Sequence, residues 1–293
     1  MRIMKKNWFL LSLCLLSAMR LHALPLGNPA EPRIFTCGIF LDGGDWERFS
    51  FIPHFLDIRA GYYGDFVYNR KLKVDGPGVS SIARNMIKSE INTNAGYLAL
   101  NFCERADIFA TLGATKITVE ANEGAWLSTG GGSTGIIQAD DTFSWSVGGR
   151  VLLFTLGCWQ AGFEGQYFST RPQLREYYVQ SDFGNIVYLS DAPTHYHEWQ
   201  IGTGISYLIN FCCADLSLIP YVGIKWSQCK FNTRNFNFLD RRALRFTIVN
   251  TKSRRLWGFP IGLSLVFKRS VELNVETRWG DERALSLKGQ FQF

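Results

Sequence analysis

His195, His197 and Glu198 lie within four residues of one another, and imidazole with carboxylate is a donor set that suits zinc. In an extended segment only His195 and His197 share a face, and that face continues to Trp199. The trio therefore reads as a strand entering a membrane interface rather than as a metal centre. Residues 128–135 (STGGGSTG) are glycine-rich, but no Lys follows them as a phosphate-cradling P-loop requires. No Gly-x-Ser-x-Gly occurs, and four histidines, His22, His54, His195 and His197, leave few partners for a hydrolytic serine. No catalytic residue, metal or cofactor is expected.

Cysteine is the other reactive type. Once a leader carrying Cys14 is set aside, Cys37, Cys103, Cys158, Cys212, Cys213 and Cys229 remain as disulfide candidates for an oxidising compartment. The adjacent pair Cys212 and Cys213 is poorly placed to bond to itself, because bridged Cα atoms prefer a spacing of about 5.5 Å. Links to other residues or other chains are expected instead.

That leader is legible. Arg2, Lys5 and Lys6 form a positive start, Trp8 to Met19 an apolar run, and Leu21-His22-Ala23 a small-residue cleavage site before Leu24. About twelve apolar residues are too few to span a bilayer as a helix, so residues 1–23 read as a cleaved signal peptide. The whole chain holds 31 Lys+Arg against 25 Asp+Glu; without the leader's Arg2, Lys5, Lys6 and Arg20 the excess falls to two. The basicity that could suggest nucleic acid largely leaves with the leader. A mean hydropathy of −0.03 excludes a polytopic helical membrane protein, and 23 Phe, 11 Tyr and 9 Trp exclude disorder.

What positions the remaining polar groups is alternation with period two. In residues 55–69 the even positions are Leu56, Ile58, Ala60, Tyr62, Gly64, Phe66 and Tyr68, while the odd set includes Asp57, Arg59 and Asp65. The same two-faced pattern sets Trp159 and Phe163 against Gln160 and Glu164, and Leu273 and Val275 against Glu272 and Glu276. Twelve strands are marked, at 34–41, 46–52, 55–69, 92–103, 107–119, 142–156, 158–169, 197–209, 218–229, 256–267, 271–279 and 285–293. A soluble sandwich also alternates. Three features favour a transmembrane barrel: strands of the length a tilted crossing needs, Trp and Tyr near strand ends on the apolar face, and connections alternating between tight and long. The long ones, near 120–141, 170–196 and 230–255, read as external loops of a single domain, residues 24–293.

Several blocks resemble the chlamydial major outer membrane protein family: residues 24–32 (LPLGNPAEP), 61–67 (GYYGDFV), 93–101 (TNAGYLALN), 111–115 (TLGAT), 145–148 (WSVG), 196–200 (YHEWQ), 220–227 (PYVGIKWS) and 275–278 (VETR). The resemblance spans the mature chain, which is shorter than the family pattern, chiefly in the long loops. It implies a porin barrel of about 16 strands, trimeric, in a disulfide-linked bacterial outer envelope.

The expected fold is thus an all-β, antiparallel transmembrane barrel of even strand number, 12 to 16, crossing the outer membrane many times. Asp57, Arg59, Asp65, Arg150, Glu164, Glu198, Lys225, Glu272, Glu276, Arg278 and Lys288 would line a lumen of mixed sign that passes small hydrophilic solutes by diffusion. The expected partners are lipid, these solutes, other copies of the chain and cross-linked envelope proteins, and no nucleic acid. Two rivals are a non-conducting structural or adhesive barrel and, more remotely, an outer-membrane barrel hydrolase. With both termini in the periplasm the strand number is even, which puts residues 280–283 outside and residues 268–270 in a periplasmic turn, with no net crossing in 230–255; residues 243–255 either extend the strand at 256–267 or form an extra hairpin.

Overall fold

The computed structural model describes residues 24–35, 56–75, 86–122, 134–181, 184–211, 215–233, 236–239, 245–248 and 250–293. Among the described residues, one short helix, α1 (Glu31–Ile34), precedes the strands. These are β1 (Leu56–Arg70), β2 (Leu72–Val74), β3 (Lys88–Phe102), β4 (Ala106–Asn122), β5 (Thr134–Ala139), β6 (Thr142–Leu156), β7 (Trp159–Thr170), β8 (Gln173–Ser181) and β9 (Gly184–Pro193). They continue as β10 (His195–Tyr207), β11 (Ile209–Phe211), β12 (Leu216–Asn232), β13 (Phe236–Leu239), β14 (Arg245–Ile248), β15 (Thr251–Ser253), β16 (Trp257–Phe267), β17 (Val271–Trp279) and β18 (Glu282–Gln292).

Ten strands close a ring in the order β3, β1, β18, β17, β16, β12, β10, β7, β6, β4, with β4 returning to β3. Every pairing is antiparallel, and no ring strand has an unpaired edge, as a bilayer demands of backbone polar groups. The transmembrane barrel expected from alternation is present, but the ring has 10 strands where 12 to 16 were expected. The difference arises at the N-terminal end. Ile34, placed in a strand by the sequence, lies in α1, while residues 36–41 and the strand at 46–52 fall outside the described residues. β1 already has β3 on one side and β18 on the other, so this ring has no place for a further strand.

The burial pattern is that of a soluble protein turned inside out. Tyr62, Leu98, Leu112, Phe143, Trp145, Trp159, Leu273 and Trp279 are exposed on the outer face, while Arg59, Arg278, Lys225 and Glu276 are wholly buried on the inner one. Alternating faces along each strand place apolar groups toward lipid and polar groups toward the lumen. Tyr167 stacks between Trp145 and Trp199 on three neighbouring strands, with ring centroids 5.3 and 4.3 Å away, and Trp159 meets Tyr207 at 4.8 Å. These are outward aromatic bands of the kind that sit at membrane interfaces.

Connections segregate. Residues 103–105, 157–158 and 268–270 make tight turns at one end, helped by left-handed backbone at Cys103, Glu104, Gly157, Lys268 and Arg269. At the other end the long segments build strands of their own: the overhang of β4 pairs with β5, β5 with β8 and β8 with β9. Within 230–255, β13 pairs with β14, and β15 joins the overhang of β12 to β2, so the described residues of this segment make no crossing.

Candidate functional site in the barrel interior

The lumen is occupied by the chain's own N-terminal segment. Leu24 packs with Val67, Leu72, Phe168 and Tyr196 in the long-loop half, whereas Ala30, Ile34 and Phe35 pack with Ile219 and Val266 in the tight-turn half. Residues 24–35 thus run lengthwise through the barrel.

Pro25, Pro29 and Pro32 keep most of this stretch from forming regular structure, so its backbone groups must find partners in the wall. Leu24 N donates to Gln200 Oε1 at 2.5 Å, and Gln200 Nε2 donates back to the Pro25 carbonyl at 2.6 Å. Lys225 Nζ reaches the Leu24 carbonyl at 3.2 Å. The amides of Leu26 and Gly27 grip the two oxygens of Glu276 at 3.1 and 2.9 Å. Gly27 has φ +67°, a left-handed conformation that glycine adopts freely. Asn28 then turns the chain: its Oδ1 accepts from Ala30 N at 2.9 Å, its Nδ2 donates to Ser264 Oγ at 2.9 Å, and α1 begins. Within α1, the Pro32 carbonyl accepts from Asn101 Nδ2 at 2.9 Å.

Glu31 is the centre of the tight-turn half. Its carboxylate is wholly buried among Arg59 of β1 (3.4 Å), Arg150 of β6 and Lys288 of β18, and also accepts from Tyr97 OH at 3.1 Å and Gln290 Nε2 at 2.8 Å. Each cation has a second acid on the wall: Arg59 pairs with Asp107, Arg150 with Glu164 at 2.6 Å, and Lys288 with Glu272 at 3.7 Å.

A second network fills the long-loop half. Arg70 contacts Asp281 at 2.8 Å, Glu282 at 3.3 Å and Glu198 at 3.4 Å; Lys225 contacts Glu282 at 2.6 Å and Asp281 at 3.5 Å. Arg278 contacts Asp65 at 2.5 Å, Glu282 at 2.7 Å and Glu276 at 3.8 Å. Charges so deeply placed persist only when paired and hydrogen-bonded. Among the described residues, interior cavities of about 30 Å³ lie beside Tyr97 and Arg150 and of about 10 Å³ beside Leu24 and Glu198. A larger cavity of about 450 Å³, lined by Arg33, Gln160, Leu208 and Arg269, opens at the tight-turn end.

Arg59, Asp65, Arg150, Glu164, Glu198, Lys225, Glu272, Glu276, Arg278 and Lys288 are all buried on the inner wall, and Asp57 is partly exposed near the start of β1. Sequence reasoning missed Glu31, Arg70, Asp107, Asp281 and Glu282. Arg70 occupies an even, outward position by simple alternation, but a register shift between Val67 and Asn69 turns it inward. Asp281 and Glu282, read as part of an external turn, point into the barrel and are buried. At the rim, Lys71 lies close enough to Arg254, Arg255 and Arg283 that partial burial and these guanidiniums hold its ammonium below the usual lysine range.

Of the disulfide candidates, Cys103 and Cys158 are exposed free thiols in the tight turns. Cys229 is buried, and Ser253 Oγ donates to its sulfur at 3.2 Å. Its position on β12 alternates inward with Lys225 and Ser227. Cys37, Cys212 and Cys213 lie outside the described residues, as does most of the glycine-rich stretch 128–135. His195 Nε2 lies 3.1 Å from Ser169 Oγ, and the His195 and His197 rings are 4.9 Å apart on the outer face.

The family model described as Chlamydia major outer membrane protein matches residues 1–79, 78–135 and 182–247. The chain is similar to the major outer membrane porin of Chlamydia pneumoniae, 29% identical over 380 aligned positions covering 93% of this chain and 95% of that protein. It is 28% identical to the serovar A porin of Chlamydia trachomatis, covering 94% and 96%, and equally so to that of Chlamydia muridarum, with the same coverage. Among solved structures it is similar to the outer membrane protease OmpT of Escherichia coli, with TM-score 0.43 and 12% identity over 81% of this chain and 97% of that one.

Proposed function

Because the chain belongs to the Chlamydia major outer membrane protein family, we propose that it is an outer-membrane porin through which small hydrophilic solutes diffuse. One observation carries this reading: a ring closed to lipid by an apolar face encloses a wall bearing Arg59, Arg150, Lys225, Arg278 and Lys288 opposite Asp65, Glu164, Glu198, Glu272 and Glu276. A barrel built only as a scaffold has no need of a charged interior, because an apolar core of the same volume is as stable or more so. In this reading these residues and Asp57 line the path, residues 1–23 are removed on export, and residues 24–293 form one domain with its long loops outside. Diffusion through such a wall needs no catalytic residue and no cofactor. Ten strands enclose little more room than the eight that side chains can fill, which limits the path to small solutes.

Assembly belongs to the same reading: a trimer in the membrane, tight turns on the periplasmic side, and disulfide links there through Cys103 and Cys158, whose thiols are exposed.

The filled lumen favours a second reading, a non-conducting structural barrel. Refolded, heat-modifiable protein in planar bilayers separates the two. Discrete conductance steps and uptake of small sugars by liposomes are expected of the porin. Folded protein giving neither, with residues 24–35 present or removed, establishes the scaffold.

A further inference from the structure

We propose that Leu24–Phe35 is a resident plug, that the barrel conducts when this segment leaves the lumen, and that Glu31 is the pin that holds it. The proposal rests on the porin reading above.

The wall is shaped for the segment. Gly204 of β10 pairs directly with Gly162 of β7 on one side and with Gly223 of β12 on the other, so three adjacent strands present a row of glycines. Leu26 and Pro29 lie in the groove this row leaves. A Cβ on Gly204 would sit 3.3 Å from Pro29 Cγ and 3.4 Å from Leu26 Cδ2; one on Gly162 would sit 2.9 Å from the Pro29 carbonyl oxygen. Two residues along β10, on the same face, a Cβ on Gly202 would sit 2.5 Å from Leu26 Cδ1. Side chains at these positions would exclude the segment.

The segment is also built to leave. It adds no strand to the ring, and the hydrogen bonds that hold its backbone end on side chains: Gln200, Glu276, Lys225 and Asn101. Its one charge inside the tight-turn network is Glu31. Arg59, Arg150 and Lys288 keep Asp107, Glu164 and Glu272 when that carboxylate departs, so withdrawal strands no buried cation. Six wall charges, three of each sign, are then left facing the vacated space.

The test uses the refolded mature chain in planar bilayers, in four forms. These are the unaltered protein, Glu31→Gln, a form lacking residues 24–35, and Asn28→Cys with Ser264→Cys in a background whose native cysteines are serine. Asn28 and Ser264 are hydrogen-bonded partners, so the last form can be locked by oxidation and released by reductant. Heat modifiability establishes folding in each. The expected results are a tenfold or greater rise in open probability for E31Q at unchanged unit conductance, steady opening without residues 24–35, and closure of the double-cysteine form that reductant reverses. Conductance that is the same in all four forms, oxidised or reduced, overturns the plug and leaves the porin standing. Silence of every folded form, the truncated one included, overturns the porin reading and the plug with it.

Discussion

Pro29 lies against Gly162 so closely that no other residue fits there: a Cβ at position 162 would meet the Pro29 carbonyl oxygen at 2.9 Å. The same Cβ would meet the Val151 carbonyl oxygen at 2.9 Å, so the glycine serves the strand pair and the segment together. Gly204, its partner across the pair, is the better place to separate these roles.

Gly204→Val should leave the barrel closed in cross-section and displace Leu26 and Pro29. The nearest backbone atom to a Cβ there, the Val222 carbonyl oxygen, is 3.1 Å away, a contact that a small shift relieves. The branched methyls go on into the groove, at an overpacking cost of about 1–3 kcal/mol. With Leu26→Cys as a reporter in a cysteine-free background, labelling by a water-soluble maleimide should rise about tenfold on adding G204V. Equal rates would mean that the groove does not hold the segment.

Arg278→Met should be strongly destabilising. It removes the partner of Asp65 at 2.5 Å and of Glu282 at 2.7 Å, leaving buried carboxylates short of a counter-charge, and losses of about 3–5 kcal/mol are typical of such half-broken pairs. Adding Asp65→Asn should return part of the loss. Urea midpoints of reversible unfolding in detergent micelles or lipid measure both, and a double variant no more stable than R278M would show that Asp65 is not the group left stranded.

Among the described residues the thiols should fall into two classes. Cys103 and Cys158 are exposed, and Cys229 is enclosed beside Ser253. Native protein treated with an alkylator and read by mass spectrometry should be modified at Cys103 and Cys158 at least a hundred times faster than at Cys229, which should react only in denaturant. In envelopes, serine at 103 and 158 should reduce cross-linked species that serine at 229 leaves unchanged.

Much of this architecture is written in alternation, and its exceptions are where alternation breaks. β6, β16 and β17 fall within a residue of the ranges read from the pattern, because one face of each meets lipid and the other a polar lumen. Arg70 was hidden by one bulge in β1. Glu31 was hidden for a different reason: LPLGNPAEP has no period, and nothing local says that a proline-rich stretch lies inside a barrel rather than beside it. The glycines at 162, 204 and 223 look in sequence like ordinary breaks in alternation; their alignment in one row exists only once three strands are paired.

Topology can be tested at positions the structure shows to be accessible. Asp281 is buried against Arg70 and Ser270 is also buried, so neither would report on its side of the membrane. Arg283 at the long-loop rim and Arg269 in a tight turn are exposed. As single cysteines in intact cells, position 283 should label from outside and position 269 only after permeabilisation. The opposite pattern would invert the barrel and move Cys103 and Cys158 to the outer surface.

The last prediction concerns the first residue of the lumen segment. Leu24 N faces Gln200 Oε1, and Leu24 shares a small cavity with Asp65, Glu198 and Glu282. That half of the lumen holds Asp65, Glu198, Glu276, Asp281 and Glu282 against Arg70, Lys225 and Arg278, an excess of two acids. If the leader is cut before Leu24, the group placed there is an α-ammonium, a cation delivered to an acid-rich pocket. Removal of the leader then does more than release the chain: it creates the charge that seats the segment. Refolded protein carrying Ala-Ser ahead of Leu24 should therefore show a several-fold higher open probability and faster labelling at Leu26→Cys than protein starting at Leu24. A conservative control, Leu24→Met with a free terminus, should behave as the unaltered chain. Should the extended protein close and label as the unextended one does, the terminus contributes nothing, and the segment is held by Glu31, Glu276 and the glycine groove alone.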